Sequence, residues 1–362
     1  MRQLLLRLWF DQPWSLWTYG PDGMPQLGAA WAWIILVAAY LLYFAIRRQW
    51  SMFRDPMTWL PLGVILLLIS LQPVHGLLPS FMPVFGYGIM VLLGFAGGVL
   101  FATQRAKAAG YDPELVLDAG FVILLTGVLG GRLAYLLQYH QQMFDVGTTL
   151  PQALFKIVNL SEGGLVLIGG LVLGTIGFIG FCKVRRIPVF DFADVLIPAA
   201  FIGIGFGRIG CLLNGCCFGD RCDLPWAITF PQGSVTFQTL MHRGFVDPEA
   251  LATFPLHPTQ IYSSINGFLL AFVTATYFWY RRYPGDVFAL ACILYPISRF
   301  LIEFIRADEM GQLNTGLTIS QLYSIGIFTF GIALLAAGPL RAKWTAKVLE
   351  TRTVSGTRPA AE

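Results

Sequence analysis

Apolar runs of about 20 residues recur along this chain, closed by clustered arginines and lysines, and a run of that length most readily becomes a helix that crosses a bilayer. Nothing in hydrocarbon can hydrogen-bond a bare backbone, so each crossing segment must satisfy its amides internally. The runs fall at 28–46, 60–78, 81–103, 115–139, 163–182, 192–213, 258–280, 287–305 and 319–338. The pattern predicts an all-α polytopic membrane protein with about nine transmembrane helices. Composition agrees: 12% of the residues are charged, against about 25% in a soluble domain. A soluble core is excluded, and the net charge of +4 follows from membrane topology rather than from affinity for nucleic acid.

Residues 1–27 are Trp-rich and partly polar. The stretch 4–10 suits the membrane interface, with Trp9, Trp14 and Trp17 at headgroup depth. No signal-peptide cleavage pattern follows it, so the first apolar helix serves as its own targeting signal. Residues 141–160 read as a loop with a short helix near the surface. Residues 214–257 form a polar insertion with a turn at Gln232-Gly233, expected as a small extramembrane cap. The tail from Leu340 is basic and loses apolar character, the pattern of a frayed end.

Basic residues gather after alternate spans: Arg47, Arg48 and Arg54; Arg105 and Lys107; Lys183, Arg185 and Arg186; Arg281 and Arg282; and the tail. The positive-inside bias then predicts a periplasmic amino terminus, a cytoplasmic carboxyl terminus and a periplasmic cap. Arg132, Arg208 and Arg299 remain inside the spans. An ionisable residue within hydrocarbon is costly and marks function by default. On this topology Arg208, Arg299 and Glu303 approach the outer face, where Tyr87 and Glu162 also stand. Arginines at headgroup depth suit a phosphate, because a guanidinium stays charged and presents a fork of donors. The competing reading pairs Arg299 with Glu303, four residues on, as a helix-stabilising ion pair.

The densest stretch is 203–226, GIGFGRIGCLLNGCCFGDRCDLPW. Its glycines permit close helix approach and a break in helix geometry. Glu162-Gly163-Gly164 and Gly169-Gly170 offer the same at the fifth span, although ordinary helix packing explains any one glycine pair. Cys211, Cys216, Cys217 and Cys222 lie in C-x4-C-C-x4-C spacing, which is not that of a zinc ribbon. Disulfides, free thiols, a metal site and redox exchange all remain open, and adjacent Cys216 and Cys217 do not readily bind one ion together. No histidine pair supports a metallohydrolase, and no metal or cofactor is expected.

Several blocks resemble bacterial prolipoprotein diacylglyceryl transferases. GFGRIGCLLNGCCFG at 205–219 resembles that family's central signature. FGYGIM at 85–90, GGRLAYLL at 130–137, SEGGLVLIGGL at 161–171, DLPWAITFP at 223–231, HPTQIY at 257–262 and SRFLIEFIRADE at 298–309 follow the family order. The resemblance implies a seven-helix core at 81–338, including the cap at 214–257. Ahead of it stands an extension, 1–80, with two helices, and behind it a basic cytoplasmic tail, 339–362.

It also implies an inner-membrane enzyme that transfers the diacylglyceryl group of phosphatidylglycerol to the lipobox cysteine of a preprolipoprotein signal peptide. Carried over by motif, Arg208, Arg299, Glu303 and Tyr87 are the expected catalytic residues. Asn214, Gly219, Glu162, Arg132, Gly169, Gly170 and Arg306 are expected at the substrate. The chain departs from the pattern at Ile168, where the family has a histidine, and at Cys211 and Cys216, where it has an asparagine and a glutamate. Isoleucine takes no proton, which leaves Tyr87, Glu303, Glu162 or the phosphate oxygen to orient or deprotonate the thiol. Two other classes share parts of the pattern: a transporter for an anionic solute and a thiol-exchanging membrane protein. The outer-rim position of the polar groups and the absence of an internal repeat count against the transporter.

Overall fold

The computed structural model describes residues 4–19, 24–46, 56–70, 81–143, 164–306 and 317–354. The elements are β1 (Leu4–Trp9), β2 (Thr18–Tyr19), β3 (Pro25–Gly28), α1 (Ala29–Ile46), α2 (Pro56–Ser70), β4 (Phe81–Phe85), α3 (Gly86–Ala108), α4 (Glu114–Met143), α5 (Leu167–Val184), α6 (Val189–Asn214), α7 (Val235–His242), α8 (Thr259–Tyr277), α9 (Asp286–Glu303), α10 (Ile319–Ala336) and α11 (Gly338–Val354). Among the described residues six segments are long and apolar enough to cross a membrane: Gly86–Ala108, Glu114–His140, Leu167–Val184, Val189–Asn214, Thr259–Tyr280 and Ile319–Ala336. The chain is therefore a largely helical, multi-pass membrane protein. The loop expected at 141–160 falls, beyond residue 143, outside the described residues.

The chain divides into two compact units, one of Met1–Leu92 with Gly207–Gln260 and one of Leu93–Phe206 with Ile261–Glu362. In the first, a four-stranded sheet of order β2-β3-β1-β4 corrects the all-helical expectation. β1 pairs parallel with β3, Leu8 opposite Leu27, and antiparallel with β4, Leu8 opposite Met82. Residues 4–9 are thus a strand, paired on both sides within the sheet. The third expected span also starts later than 81, at Gly86, because Phe81–Phe85 joins the sheet. Pro83 explains this locally: a proline with no N–H is disfavoured inside a helix and tolerated on an edge strand, the position β4 holds. The insertion packs on buried Phe218, Phe230, Phe237, Leu240 and Leu256. Its expected turn is present, with Gly233 at φ +83° and Ser234 capping α7 by accepting from Phe237 N at 3.2 Å.

In the second unit the core gathers Ala102, Ala106, Val116, Ala119, Phe181, Phe192, Val195, Phe278 and Val287. Small residues on α3 and α4 let neighbouring helices approach. Buried charges tie the ends of the helices together. Arg281 donates to Asp194 Oδ2 at 2.7 Å and to Asp191 Oδ1 at 2.6 Å. Asp194 also accepts the amides of Gly285 and Phe288, at 2.7 and 2.9 Å. Tyr111 donates to Asp191. Arg341 of α11 donates to Asp286 Oδ1 at 2.8 Å, and Trp344 meets Phe190 edge-on at 5.9 Å. The tail expected to fray is for this reason a helix through Val354, held by a buried arginine and an aromatic contact.

Candidate functional site

Arg208 lies in the last turns of α6, six residues before that helix ends at Asn214. Gly207 and Ile209 flank it, and the helix continues through the arginine without a break. Three other arginines have carboxylates: Arg281 has Asp191 and Asp194, Arg299 has Glu303, and Arg341 has Asp286, whereas Arg105 and Arg132 donate to the backbone carbonyls of Ala275 and Gly164. Among the described residues Arg208 has no carboxylate partner. Its electrostatic neighbour is Tyr87, in the first turn of α3, which also faces Cys211, Cys216 and Cys217. Gly210 makes this approach possible, since a β-carbon there would stand 3.0 Å from the Tyr87 ring. Sequence-predicted Tyr87, Arg208 and Asn214 therefore share one unit and one neighbourhood.

After Asn214 the chain turns sharply. Gly215 has φ +73° and Cys217 φ +60°. The left-handed region costs a residue with a β-carbon about 1–2 kcal/mol, so Cys217 needs external support. Three side chains, all nearly inaccessible, supply it by donating to three successive carbonyls. Thr236 Oγ1 reaches Gly215 O at 2.6 Å, Gln260 Nε2 reaches Cys216 O at 2.8 Å, and Thr259 Oγ1 reaches Cys217 O at 2.7 Å. Gly219 N then donates to His257 O at 3.1 Å. Sequence reasoning missed this framework. Thr259 and Gln260 stood in a quoted block, HPTQIY, but nothing in one sequence pairs them with carbonyls more than 40 residues away.

The second unit holds a separate polar group at the end of α9. Glu303 is fully buried and pairs with Arg299 one turn earlier. Its other oxygen accepts from Thr318 Oγ1 at 2.9 Å, and Arg306 Nε lies 3.7 Å away. Arg299 also donates to Ser320 Oγ at 2.9 Å. Thr318 caps α10 through a reciprocal bond pair with Gln321, so one carboxylate joins the end of α9 to the start of α10. The structure thus brings together Arg299, Glu303 and Arg306, and adds Thr318 and Ser320, which carried no sequence signal.

Arg132, Gly169 and Gly170 lie in the same unit but serve a helix seam there. Arg132 donates to Gly164 O at 3.0 Å and stacks 5.4 Å from the Tyr135 ring centre. A β-carbon at Gly169 would fall 2.3 Å from Gly130 O, and one at Gly130 would fall 2.3 Å from Gly169 O. Gly169→Val is expected to lower stability by about 1–3 kcal/mol through overpacking, read as an earlier thermal transition of the detergent-solubilised protein. An unchanged transition would show that α4 and α5 separate without cost. Glu162 falls outside the described residues. Ile168 sits in the first turn of α5, half exposed.

The expected cysteine group is divided. Cys211, Cys216 and Cys217 bring their sulfurs within 4.8 Å of one another. Cys222 is buried apart, its amide bonded to Pro255 O at 3.0 Å and its sulfur accepting from Leu224 N at 3.4 Å.

Comparison with known proteins places these features in context. The family model described as prolipoprotein diacylglyceryl transferase matches residues 76–337. A phosphatidylglycerol–prolipoprotein diacylglyceryl transferase of Clostridium tetani is 34% identical, over 69% of this chain and 93% of its own length. A second, from Clostridium perfringens, is 31% identical over 72% of this chain and 93% of its own. The corresponding transferase of Rhodopirellula baltica is 31% identical and covers 86% of both chains.

Proposed function

The chain belongs to the prolipoprotein diacylglyceryl transferase family, and from that premise we propose that it moves the diacylglyceryl group of phosphatidylglycerol onto the lipobox cysteine of a lipoprotein precursor. The precursor's sulfur bonds to the glycerol carbon as the bond from that carbon to the phosphate oxygen breaks. Glycerol phosphate leaves with the electron pair, and the thiol gives up its proton. The barrier lies in expelling a phosphate monoester from an alkyl carbon, where fixed positive charge stabilises what develops. The observation that carries this reading is Arg208: a cation near the end of a membrane-length helix, beside a tyrosine and without a carboxylate partner among the described residues.

In this reading Arg208 faces the phosphate, with Tyr87 and Asn214 beside it and Gly219 at the lipid. Arg299 and Arg306 provide further positive charge, their carboxylate Glu303 fixing the orientation of Arg299. Glu162, Arg132, Gly169 and Gly170 belong to the substrate side. Tyr87, Glu303 or Glu162 orients or deprotonates the incoming thiol, since Ile168 cannot. The reading keeps nine spans, the amino terminus and the cap at 214–257 in the periplasm, the carboxyl terminus in the cytoplasm, and the bacterial inner membrane as the location.

The test gives purified protein phosphatidylglycerol and a lipobox peptide, then follows peptide mass and released glycerol phosphate. Arg208→Ala is expected to slow transfer about 100-fold or more, the scale seen when one stabilising donor is removed from an anionic transition state. Arg299→Ala should behave alike. Folded, lipid-binding protein that modifies no peptide would overturn the reading and point to a diverged relative with another acceptor, as the change at Ile168 would favour.

A further inference from the structure

We propose that Cys211, Cys216 and Cys217 form a binding site for one thiophilic d10 cation, Cu(I) or Zn(II), independently of the transfer reaction. The three sulfurs all lie within 4.8 Å of one another. Three sulfurs each about 2.3 Å from one ion stand about 4 Å apart, so closing around a cation needs sulfur movements of less than an ångström. A disulfide would use two of the three and leave the third idle, whereas a single soft ion uses the whole cluster.

Adjacent cysteines ordinarily diverge, and the local backbone is what overcomes that. Cys211 sits in the last turn of α6, and the left-handed residues Gly215 and Cys217 fold the following chain back beside it. The bonds from Thr236, Gln260 and Thr259 hold this return, so the arrangement precedes any ion rather than being paid for at binding. The Asn214 side chain bonds to Cys216 sulfur, the kind of outer contact that orients a thiolate ligand. The donor set is soft and carries no carboxylate, which disfavours magnesium and calcium. Each thiol that becomes a ligand releases its proton, so uptake weakens as pH falls.

The remaining three cysteines, Cys182, Cys222 and Cys292, are buried, while the three of the cluster are partly exposed. Labelling of native protein with iodoacetamide therefore reports on the cluster. Reduced, cation-free protein in detergent is expected to take three labels by intact mass. One equivalent of Cu(I), or of Zn(II) in a parallel arm, should protect all three and add one ion per chain, with a chelator restoring labelling. Cys217→Ser should end protection of both Cys211 and Cys216, which independent thiols would not do. The proposal is overturned by equal labelling with and without either cation. It is equally overturned by protein isolated about 2 Da light that takes a single label, since that mass defect is one disulfide within the cluster. Transfer activity enters neither arm.

Discussion

Glu303→Ala is expected to lower stability by about 3–5 kcal/mol, the cost of removing one partner from a buried ion pair, and to stop transfer. The carboxylate has no exposed surface, accepts from Arg299 and Thr318, and lies 3.7 Å from Arg306. Its loss leaves Arg299 with a hydroxyl in place of a counter-charge, strips Thr318 of its acceptor and removes a carboxylate 3.7 Å from Arg306. Glu303→Gln separates two roles. The amide keeps an oxygen for Thr318 and the side-chain shape, but neutralises the pair. If Glu303 only braces α9 against α10, Gln should recover much of the thermal stability and some transfer. If the charge holds Arg299 ready for the substrate, Gln should leave transfer near the Ala level, since Arg299 still lacks its counter-charge. A Glu303→Ala protein that melts like the parent and transfers normally would remove Glu303 from the proposal.

Asp194→Ala should be comparably damaging, about 3–5 kcal/mol, without touching any residue proposed for chemistry. Asp194 is fully buried and accepts from Arg281 and from the amides of Gly285 and Phe288. Alanine would strand a guanidinium and two amides at the start of α9. Asp191 would retain one arm of Arg281, so Asp191→Ala, with its carboxylate partly solvated, is the milder comparison. Thermal unfolding in detergent and the amount of protein recovered from membranes both read the effect. Equal melting of the Asp194→Ala and Asp191→Ala proteins would show that burial of Asp194 carries no extra weight.

Six of the nine expected spans were legible because hydrocarbon imposes a length and a composition that a single sequence displays. The Arg299–Glu303 pair was legible for a similar reason: helical spacing makes neighbours of residues four apart. What failed to show were partners joined by tertiary structure. Asp194 and Arg281 are 87 positions apart, and Arg341 and Asp286 are 55 apart, so the tail read as frayed although an arginine anchors it. The strand Leu4–Trp9 was hidden because LLLRLW lacks alternation, and its partners, Pro25–Gly28 and Phe81–Phe85, are supplied by tertiary structure. Cys222 shares the spacing of the other cysteines, yet backbone pairing with Pro255 takes it away from them. Arg132, Gly169 and Gly170 were legible as unusual residues, but their contacts here are those of a helix seam.

The hub at Asp194 also sets an order of assembly. The carboxylate emerges from the ribosome before its arginine, and the 87 intervening residues take roughly 4–17 s at about 5–20 residues per second. Throughout that interval Asp194 lacks the guanidinium that later pairs with it, and an unpaired carboxylate favours hydration over burial. Insertion of α6 is therefore provisional until the loop after α8 arrives. A chain truncated between those points lacks Arg281 and leaves Asp194 without that partner, so it is expected not to complete the packing at this end of α6.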